Sequence, residues 1–518
     1  MAAAAYPGVY IEERPKTGWP GTVVPTSLTA FVGRTAMGPV ETPVPVVSFA
    51  DFERRFGGVS PDSAISWQVK AFFVNGGSQA LIVRLFAAAE GQDGRASLHV
   101  ELPNGGTLAL AARSPGAWGN RLSAATDMEG ITDEAARADG VADRCDLFNL
   151  TVELIENGAV GAVETFKTVT LNPAYPALHV ANVLSQQSSL VELLDGGTVG
   201  SAGASEGSDS APLAPADYLG DRDLQTGIHA LEQVPAFNIL CIPPDLDGGD
   251  TASEVCLAAA EYCVARRAML ILDPPAAWQQ AYEQHELAAI TLDRFAAFTR
   301  EAARNSAVYF PRIVVADPSS EDGERTLPIC GFVAGIWAGT DIRRGLWKAP
   351  AGVEAVLAGI ARLAGPLTDR DNAILNPLGV NGLRDFARIG PVVWGARTLA
   401  GADSLADEHK YVPVRRLALH IETWALQNSG WAAFEPNGER LWARLRLQLS
   451  SFMADLWRQD AFMGTTSSEA YFVKCDATTT TPADIDAGRV NVVIGFAPMK
   501  PAEYVMVLIQ QSAAQASE

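Results

Sequence analysis

The sequence predicts a multi-domain α/β protein, and three observations carry that expectation. Strand-like and helix-like runs alternate over residues 26–87 and again from about residue 215. Between them, from about Ala88 to Ala214, the chain turns β-rich. Its 518 residues, 48% of them hydrophobic, are enough for roughly three or four domains with real cores.

The chain opens on AYPGVYIEERPKTGWPGTVVPTS, residues 5–27. Val9 to Glu13 predicts a short strand entered through the Pro7-Gly8 turn pair. Pro15, Pro20 and Pro25 lack a backbone donor, so the following stretch is no hairpin partner. A lone strand carries unpaired N–H and C=O groups, which are costly once removed from water. The residues alone leave open whether this arm folds back on its own sheet or joins another.

Leu28 to Arg34 then reads as a buried strand. SFADFERRFGG predicts a helix capped by Ser48 or Asp51 and stopped by Gly57-Gly58. SAISWQVKAFFVNGG predicts a second helix and QALIVRLF a strand. In the β-rich block, SLHVELPNGGTLALAAR, DLFNLTVELIENGAV and VETFKTVTL read as strands joined by Asn-Gly and Gly-Gly turns. Its end, about Gly196 to Pro215, is Gly/Ser/Pro-rich and reads as a flexible loop.

The α/β pattern resumes with LQTGIHALEQV as helix and FNILCIPP as strand. SEVCLAAAEYCVARR (helix), AMLILDPP (strand), a helix near Leu287–Asn305 and the strand AVYFPRIVVADP follow. This alternation implies a mostly parallel sheet. ICGFVAGIWAGT places Gly331, Gly335 and Gly339 on one small-residue helical face for close packing. The last third holds the strand GPVVWGART and two helices, VPVRRLALHIETWALQ and NGERLWARLRLQLSSFMADLWRQ. The second helix has an apolar stripe, Leu441, Leu445, Leu449, Phe452 and Leu456. Arg440, Arg444, Gln448 and Ser451 follow one another at helical spacing as a polar face. Two strand-like runs and a polar tail end the chain.

Composition narrows the function. The net charge of -21 argues against a nucleic-acid-binding surface. Charged residues make up 19%, below the usual level of about 25%, which suits either a surface buried in an assembly or a compositional bias toward Ala and Gly. The six cysteines are scattered, form no C-x-x-C pair and lie mostly in apolar runs, as expected of reduced, buried thiols in a cytoplasmic setting. The N-terminus has no basic region or long apolar stretch and is not expected to be a signal peptide. No run reaches the length of a membrane span.

No motif predicts catalysis. There is no phosphate-binding loop and no H-E-x-x-H. Gly203 to Gly207 matches G-x-S-x-G, but it sits in a Gly/Ser loop rather than between strand and helix. Asp245 to Asp250 reads as a turn after a strand, not a calcium loop. No cofactor or metal is implied.

The ordered motifs YPGVYIEE, TAFVGRTAMGP, FERRFGG, NGGSQALIVR, SPGAWGNRL, CGFVAGIWAGTDIRRGLWKAPAG, NPLGVNGLRDFA with GPVVWGARTLA, and WAAFEPNGERLWARLR with VNVVIGFAPMKPAEYV span both ends and the middle of the chain. In this order they resemble the tail sheath proteins of contractile phage tails and related contractile injection systems. The resemblance implies an N-terminal arm and linker (1–25), an α/β domain (26–87 plus 215–345), an outward-facing insertion (88–214), a C-terminal inner sheath domain of α+β type (346–502) and an exchanged strand with a tail (503–518). It implies that Val9, Tyr10, Ile11 and Glu12, and Tyr504, Val505, Met506, Val507 and Leu508, add to the sheets of neighbouring subunits.

The function so implied is a non-enzymatic subunit that polymerises helically around an inner tube. It contracts to drive the tube through a target envelope. Its partners would be further copies of itself, the tube protein, and baseplate and terminal cap proteins, with no nucleic acid and no membrane insertion. Assembly would be cytoplasmic, within a phage tail or a phage-tail-like injection particle. Arg440, Arg444, Gln448 and Ser451 would then face the tube or simply form a solvated face. The competing reading is an α/β enzyme with an unrecognised site.

Overall fold

A computed structural model of the chain describes residues 24–88, 93–156, 158–198, 205–245 and 249–503. The expected strands at Val9–Glu13 and Tyr504–Leu508 lie outside those residues. The chain divides into two compact units, Thr26–Leu417 with the segment beginning at Pro498, and Ala418–Ala497 with the segment ending at Pro25. The division falls within the helix Val412–Asn428.

The first unit is built on an eight-stranded mixed sheet. Its strand order is Gly390–Val393, Asn381–Phe386, Ser306–Phe310, Met269–Leu272, Ile239–Cys241, Thr29–Arg34, Ala80–Leu85 and Val44–Val46. Only the outermost strand at each end is antiparallel to its neighbour. The central strands are parallel. Strands such as ALIVRL and MLIL are buried along their whole length. That is what a parallel sheet covered on both faces requires, and why these runs lack polar alternation.

One face carries the core of Val32, Val83, Leu240, Leu270 and Val308, packed by the helix Ser253–Arg266 through Val255, Ala259 and Tyr262. On the other face Phe31 meets Phe72 of the helix Ala64–Val74 edge to face, with ring centroids 5.6 Å apart. Against that helix lies Cys330–Arg344, the helix of the glycine stripe. A Cβ on Gly331 would stand 2.3 Å from the Gln68 carbonyl oxygen, and one on Gly335 2.6 Å from that of Phe72. The two backbones touch, and only hydrogen fits between them. Side chains from other elements cap the N-terminus of this helix. Asp273 Oδ1 accepts from the N–H groups of Ile329 (2.6 Å) and Cys330 (2.8 Å), and Gln68 Oε1 accepts from that of Gly331 (2.8 Å).

The helix Phe49–Phe56 begins at Ser48, whose hydroxyl accepts from the Asp51 N–H, and ends on Gly57 at φ 88°. Three expectations need correction. GIHALEQ forms a 3-10 helix, Gly227–Gln233. The stretch near Leu287–Asn305 holds only short helical turns and the five-residue helix Arg300–Arg304. AVYFPRIVVADP is two strands. Ser306–Phe310 belongs to the large sheet, whereas Ile313–Ala316 joins a three-stranded antiparallel sheet with Glu324–Leu327 and Arg362–Leu363. Pro311 has no N–H to give a ladder, and the sequence pattern of apolar residues runs straight through it.

Between Leu85 and Pro215 the chain forms two three-stranded antiparallel sheets. Ser97–Glu101, Thr107–Ala112 and Val191–Thr198 make one; Leu122–Asp127, Leu147–Glu156 and Ala159–Thr170 make the other. They share a core of Leu108, Leu110, Trp118, Leu150, Val152 and Phe166. The Gly/Ser-rich return, described from residue 205, is hydrogen-bonded: the Ser97 N–H donates to the Ser205 carbonyl (2.9 Å) and the Ala211 N–H to that of Ala87 (3.0 Å). At the base, fully buried Arg84 donates to the carbonyls of Thr35 (3.1 Å), Gly38 (2.7 Å) and Pro115 (2.8 Å). Burial draws its pKa down to about 10, against the pull of Asp209.

Gly331→Ala tests the helix contact. An alanine would favour the isolated helix by about 1 kcal/mol. Forcing two backbones apart costs more, so Gly331→Ala lowers the unfolding free energy by about 1–3 kcal/mol in chemical denaturation. Gly339→Ala has a smaller effect, because its Cβ would meet the mobile end of Arg343 at 3.1 Å and the Asn75 carbonyl at 3.2 Å.

Candidate assembly surfaces

Sites that could carry chemistry are occupied by the fold itself. Ser205 of the G-x-S-x-G match lies 3.0 Å from the Ser97 hydroxyl, in a loop rather than at an elbow. Asp245 accepts from Arg34 Nε at 2.8 Å and from the Leu213 N–H at 3.0 Å. Asp250 accepts from Arg312 Nη2 at 2.9 Å and from the Ala276 N–H at 2.8 Å. At the ends of the strands Ile239–Cys241 and Met269–Leu272 a cavity of about 20 Å³ remains, room for a water molecule only. Cys241, Cys256, Cys263, Cys330 and Cys475 are buried thiols, and burial pushes Cys256 up to about 12. Among the described residues no group of side chains could hold a metal ion, and no helix is long and apolar enough to cross a membrane.

The second unit offers backbone instead. Tyr471–Lys474 pairs antiparallel with Val493–Phe496 in a sheet of two strands. Tyr471 and Phe496 pack on Phe462, with ring centroids 6.1 and 5.6 Å away, so one face is apolar. On the opposite face Phe472 covers Gly495, where a Cβ would stand 2.2 Å from the ring. Among the described residues neither strand has a further strand at its outer edge. A two-stranded sheet is marginal by itself and offers a template for added strands.

The helix Glu439–Arg458 lies beside this sheet. Leu441, Leu445, Leu449 and Leu456 of the apolar stripe are buried, and Phe452 stacks on Trp424 at 4.0 Å between centroids. On the polar face Arg440, Arg444 and Ser451 are exposed, while Gln448 is half-buried. The Arg444 guanidinium lies 4.2 Å from the Trp431 ring centroid and 3.9 Å from Glu435. Gln448 Oε1 accepts from Trp431 Nε1 (2.8 Å), and its Nε2 donates to the Asn428 carbonyl (2.8 Å). Arg440 and Ser451 are thus exposed, Arg444 is exposed but engaged by Trp431 and Glu435, and Gln448 fastens the preceding loop. Phe434 in that loop is fully exposed on a left-handed backbone, φ 65°.

Within the first unit, buried arginines hold residues next to both terminal segments. Arg397 is fully buried and donates from Nε and Nη2 to the Glu503 carboxylate, at 2.7 and 2.5 Å. Its Nη1 reaches the Asn376 carbonyl (2.7 Å) and Asp403 (3.0 Å). Arg416 holds Asp341 at 2.8 and 2.6 Å and also donates to the Thr26 carbonyl at 3.0 Å. Burial pushes the Asp341 carboxyl up, and Arg416 draws it back. Sequence reasoning missed both arginines, although the apolar run around Arg397 (VVWGARTLA) was a usable signal. The loop between them is pinned by Asp407, which accepts from Arg304 Nε (3.0 Å), the His409 N–H (2.8 Å) and Arg300 Nε (2.7 Å).

Burial alone would raise the Asp407 pKa, but these donors outweigh it and hold it at about 2. A carboxyl whose folded pKa is depressed contributes stability above its unfolded value, near 3.9, and loses it as pH falls toward the folded value. Discounted for the exposure of Arg300, the contribution is about 1–2 kcal/mol, lost between about pH 5 and pH 2. Asp407→Asn therefore removes that part of the acid sensitivity in denaturation curves recorded across this range.

Comparison with known proteins agrees with this geometry. Residues 407–512 match the model of the phage tail sheath C-terminal domain. The tail sheath protein of Vibrio phage KVP40 is 26% identical over 185 residues, which are 36% of this chain and 26% of that protein. The chain thus spans about a quarter of the length of this curated relative. The sheath of an extracellular contractile injection system in its contracted state aligns with a TM-score of 0.57 at 20% identity, over 99% of this chain and 100% of that one. A sheath tail protein of Listeria innocua aligns with a TM-score of 0.58 at 12% identity, over 92% and 96% of the two chains. The fold is therefore similar to that of contractile sheath proteins, and residues 407–512 match the phage tail sheath C-terminal domain.

Proposed function

We propose that the protein is the structural sheath subunit of a contractile phage tail or injection particle. It polymerises helically around an inner tube and contracts to drive the tube through an envelope. The observation that carries the reading is the two-stranded sheet Tyr471–Lys474 with Val493–Phe496, inside the matched sheath domain, whose outer edges lack partner strands among the described residues. Val9–Glu12 of one neighbour and Tyr504–Leu508 of another complete it, since backbone ladders join chains without demanding a particular side chain. Such a contact is heterologous and builds an open helix.

In this reading, residues 1–25 and 503–518 are the exchanged arms with their linker, 88–214 is an outward-facing insertion on the α/β domain of 26–87 and 215–345, and 346–502 is the inner domain. Arg440, Arg444 and Ser451 face the tube. Their exposure and polarity suit a contact that must break on contraction, because an exposed ion pair contributes only about 0–1 kcal/mol. The partners are copies of itself, a tube protein, and baseplate and cap proteins, met in the cytoplasm during assembly.

Deleting residues 1–13 leaves a folded subunit that no longer polymerises. Ile11→Pro does the same by removing a ladder donor. Electron microscopy of the purified proteins reads the result, and normal cylinders from the truncated chain would sink the exchange. Arg440→Glu combined with Arg444→Glu preserves polymers but lowers the fraction filled with tube. Tube-filled, extended particles at wild-type frequency would remove this face from the tube contact.

A further inference from the structure

A strand lent to a neighbour is held at two points, in the neighbour's sheet and where it leaves its own body. The second point is described in this structure for both ends of the chain. Glu503 is the last described residue before the C-terminal arm, and Thr26 opens the α/β unit just after the N-terminal one. Each is met by a buried guanidinium, Arg397 for Glu503 and Arg416 for Thr26. We propose that Arg397 and Arg416 are the mechanical joints of the two arms, transmitting pull along exchanged strands into the body of the subunit. The proposal rests on the assembly reading above.

The chemistry suits the task. The Arg397–Glu503 contact is a two-pronged, charge-assisted fork, which fixes direction as well as distance. Lys410 stands behind it, 2.6 Å from Asp403 and 4.0 Å from Glu503. Arg397 is locked from behind by the Asn376 carbonyl at 2.7 Å, so pull on Glu503 is passed to the end of the helix Asp369–Leu375 and to the large sheet through Asn381, which accepts from the Arg397 N–H at 2.7 Å. Arg416 sits over the Trp337 ring at 5.0 Å and is bound to Asp341, both on the helix that carries the glycine stripe. Pull on Thr26 therefore ends on the most tightly packed helix of the unit.

The test uses Glu503→Gln, which removes the charge at the chain's edge and keeps its shape, because Arg397→Gln leaves a buried cavity and risks misfolding. A nitroxide is placed at exposed residue 502 through Ala502→Cys, with the exposed thiol removed by Cys145→Ser. Loss of the joint raises label mobility in the soluble full-length subunit by about threefold or more while the thermal midpoint stays within a few degrees. Unchanged mobility, or a rise accompanied by melting of the whole subunit, overturns the joint. In a second measurement polymers of each protein are sheared equally and their lengths compared by electron microscopy. The variant polymerises but breaks to lengths at least about threefold shorter, and equal lengths overturn the proposal. Arg416→Lys, which keeps the charge opposite Asp341 and loses the fork, shortens them in the same way. If the parent protein forms no polymers, the assembly reading fails, and the label still decides whether Glu503 is fastened.

Discussion

The architecture depends on two helix backbones in direct contact. Ala64–Val74 and Cys330–Arg344 approach so closely that the first touches the second through Gly331 and Gly335, and the Cα of Gly339 would meet a Cβ on Gly76 at 2.9 Å. These helices come from opposite ends of the α/β pattern in sequence, and they cover the same face of the sheet. Their closeness fixes the layer that buries Phe31, Phe72 and Trp337, and it brings Asn75 within reach of Ala358 at 2.8 Å. A side chain at Gly331 or Gly335 would displace several layers at once, because close-packed interiors transmit strain rather than absorb it.

A second device recurs at the margins. Wherever a peripheral segment joins the α/β unit, a buried guanidinium receives it. Arg84 gathers carbonyls from the α/β domain and from the β-rich block, Arg397 takes a carboxylate, and Arg416 takes a carboxylate and a carbonyl together. Arginine suits this work because its planar fork stays charged and directs five donors. The cost of desolvating the charge is offset only when every donor is placed, which makes the joint specific to one geometry.

The large sheet was legible in the sequence because its strands are mostly apolar runs alternating with helical ones, with Ser48 and Gly57 where caps are expected. The small-residue stripe was legible for the same reason: period four leaves little else for glycines to do. What failed was local. A run of apolar residues cannot report that Pro311 ends one sheet and begins another, nor that Gly227 opens a 3-10 helix instead of an α-helix. Of the polar face, spacing correctly put Arg440, Arg444, Gln448 and Ser451 on one helix, but it could not see Trp431 arriving from a loop to engage Gln448. Arg397 and Arg416 were passed over because charged residues are read as surface by default, and only tertiary partners make a buried one comprehensible.

The β-rich block enters and leaves the body side by side. Ala87 and Ala211 form an antiparallel bridge, and the Ala87 N–H donates to the Ser210 hydroxyl at 2.9 Å. Its two ends are therefore as close as neighbouring strands allow, like the ends of a cassette in a socket. Any domain whose own termini lie together could be grafted there without stretching the parent sheet. The socket also states what a graft must bring. Arg84 would lose the Pro115 carbonyl and the Gly38 N–H would lose the Ser114 hydroxyl, so a replacement needs an acceptor at each place. A replacement domain that supplies both acceptors leaves the large sheet as it is.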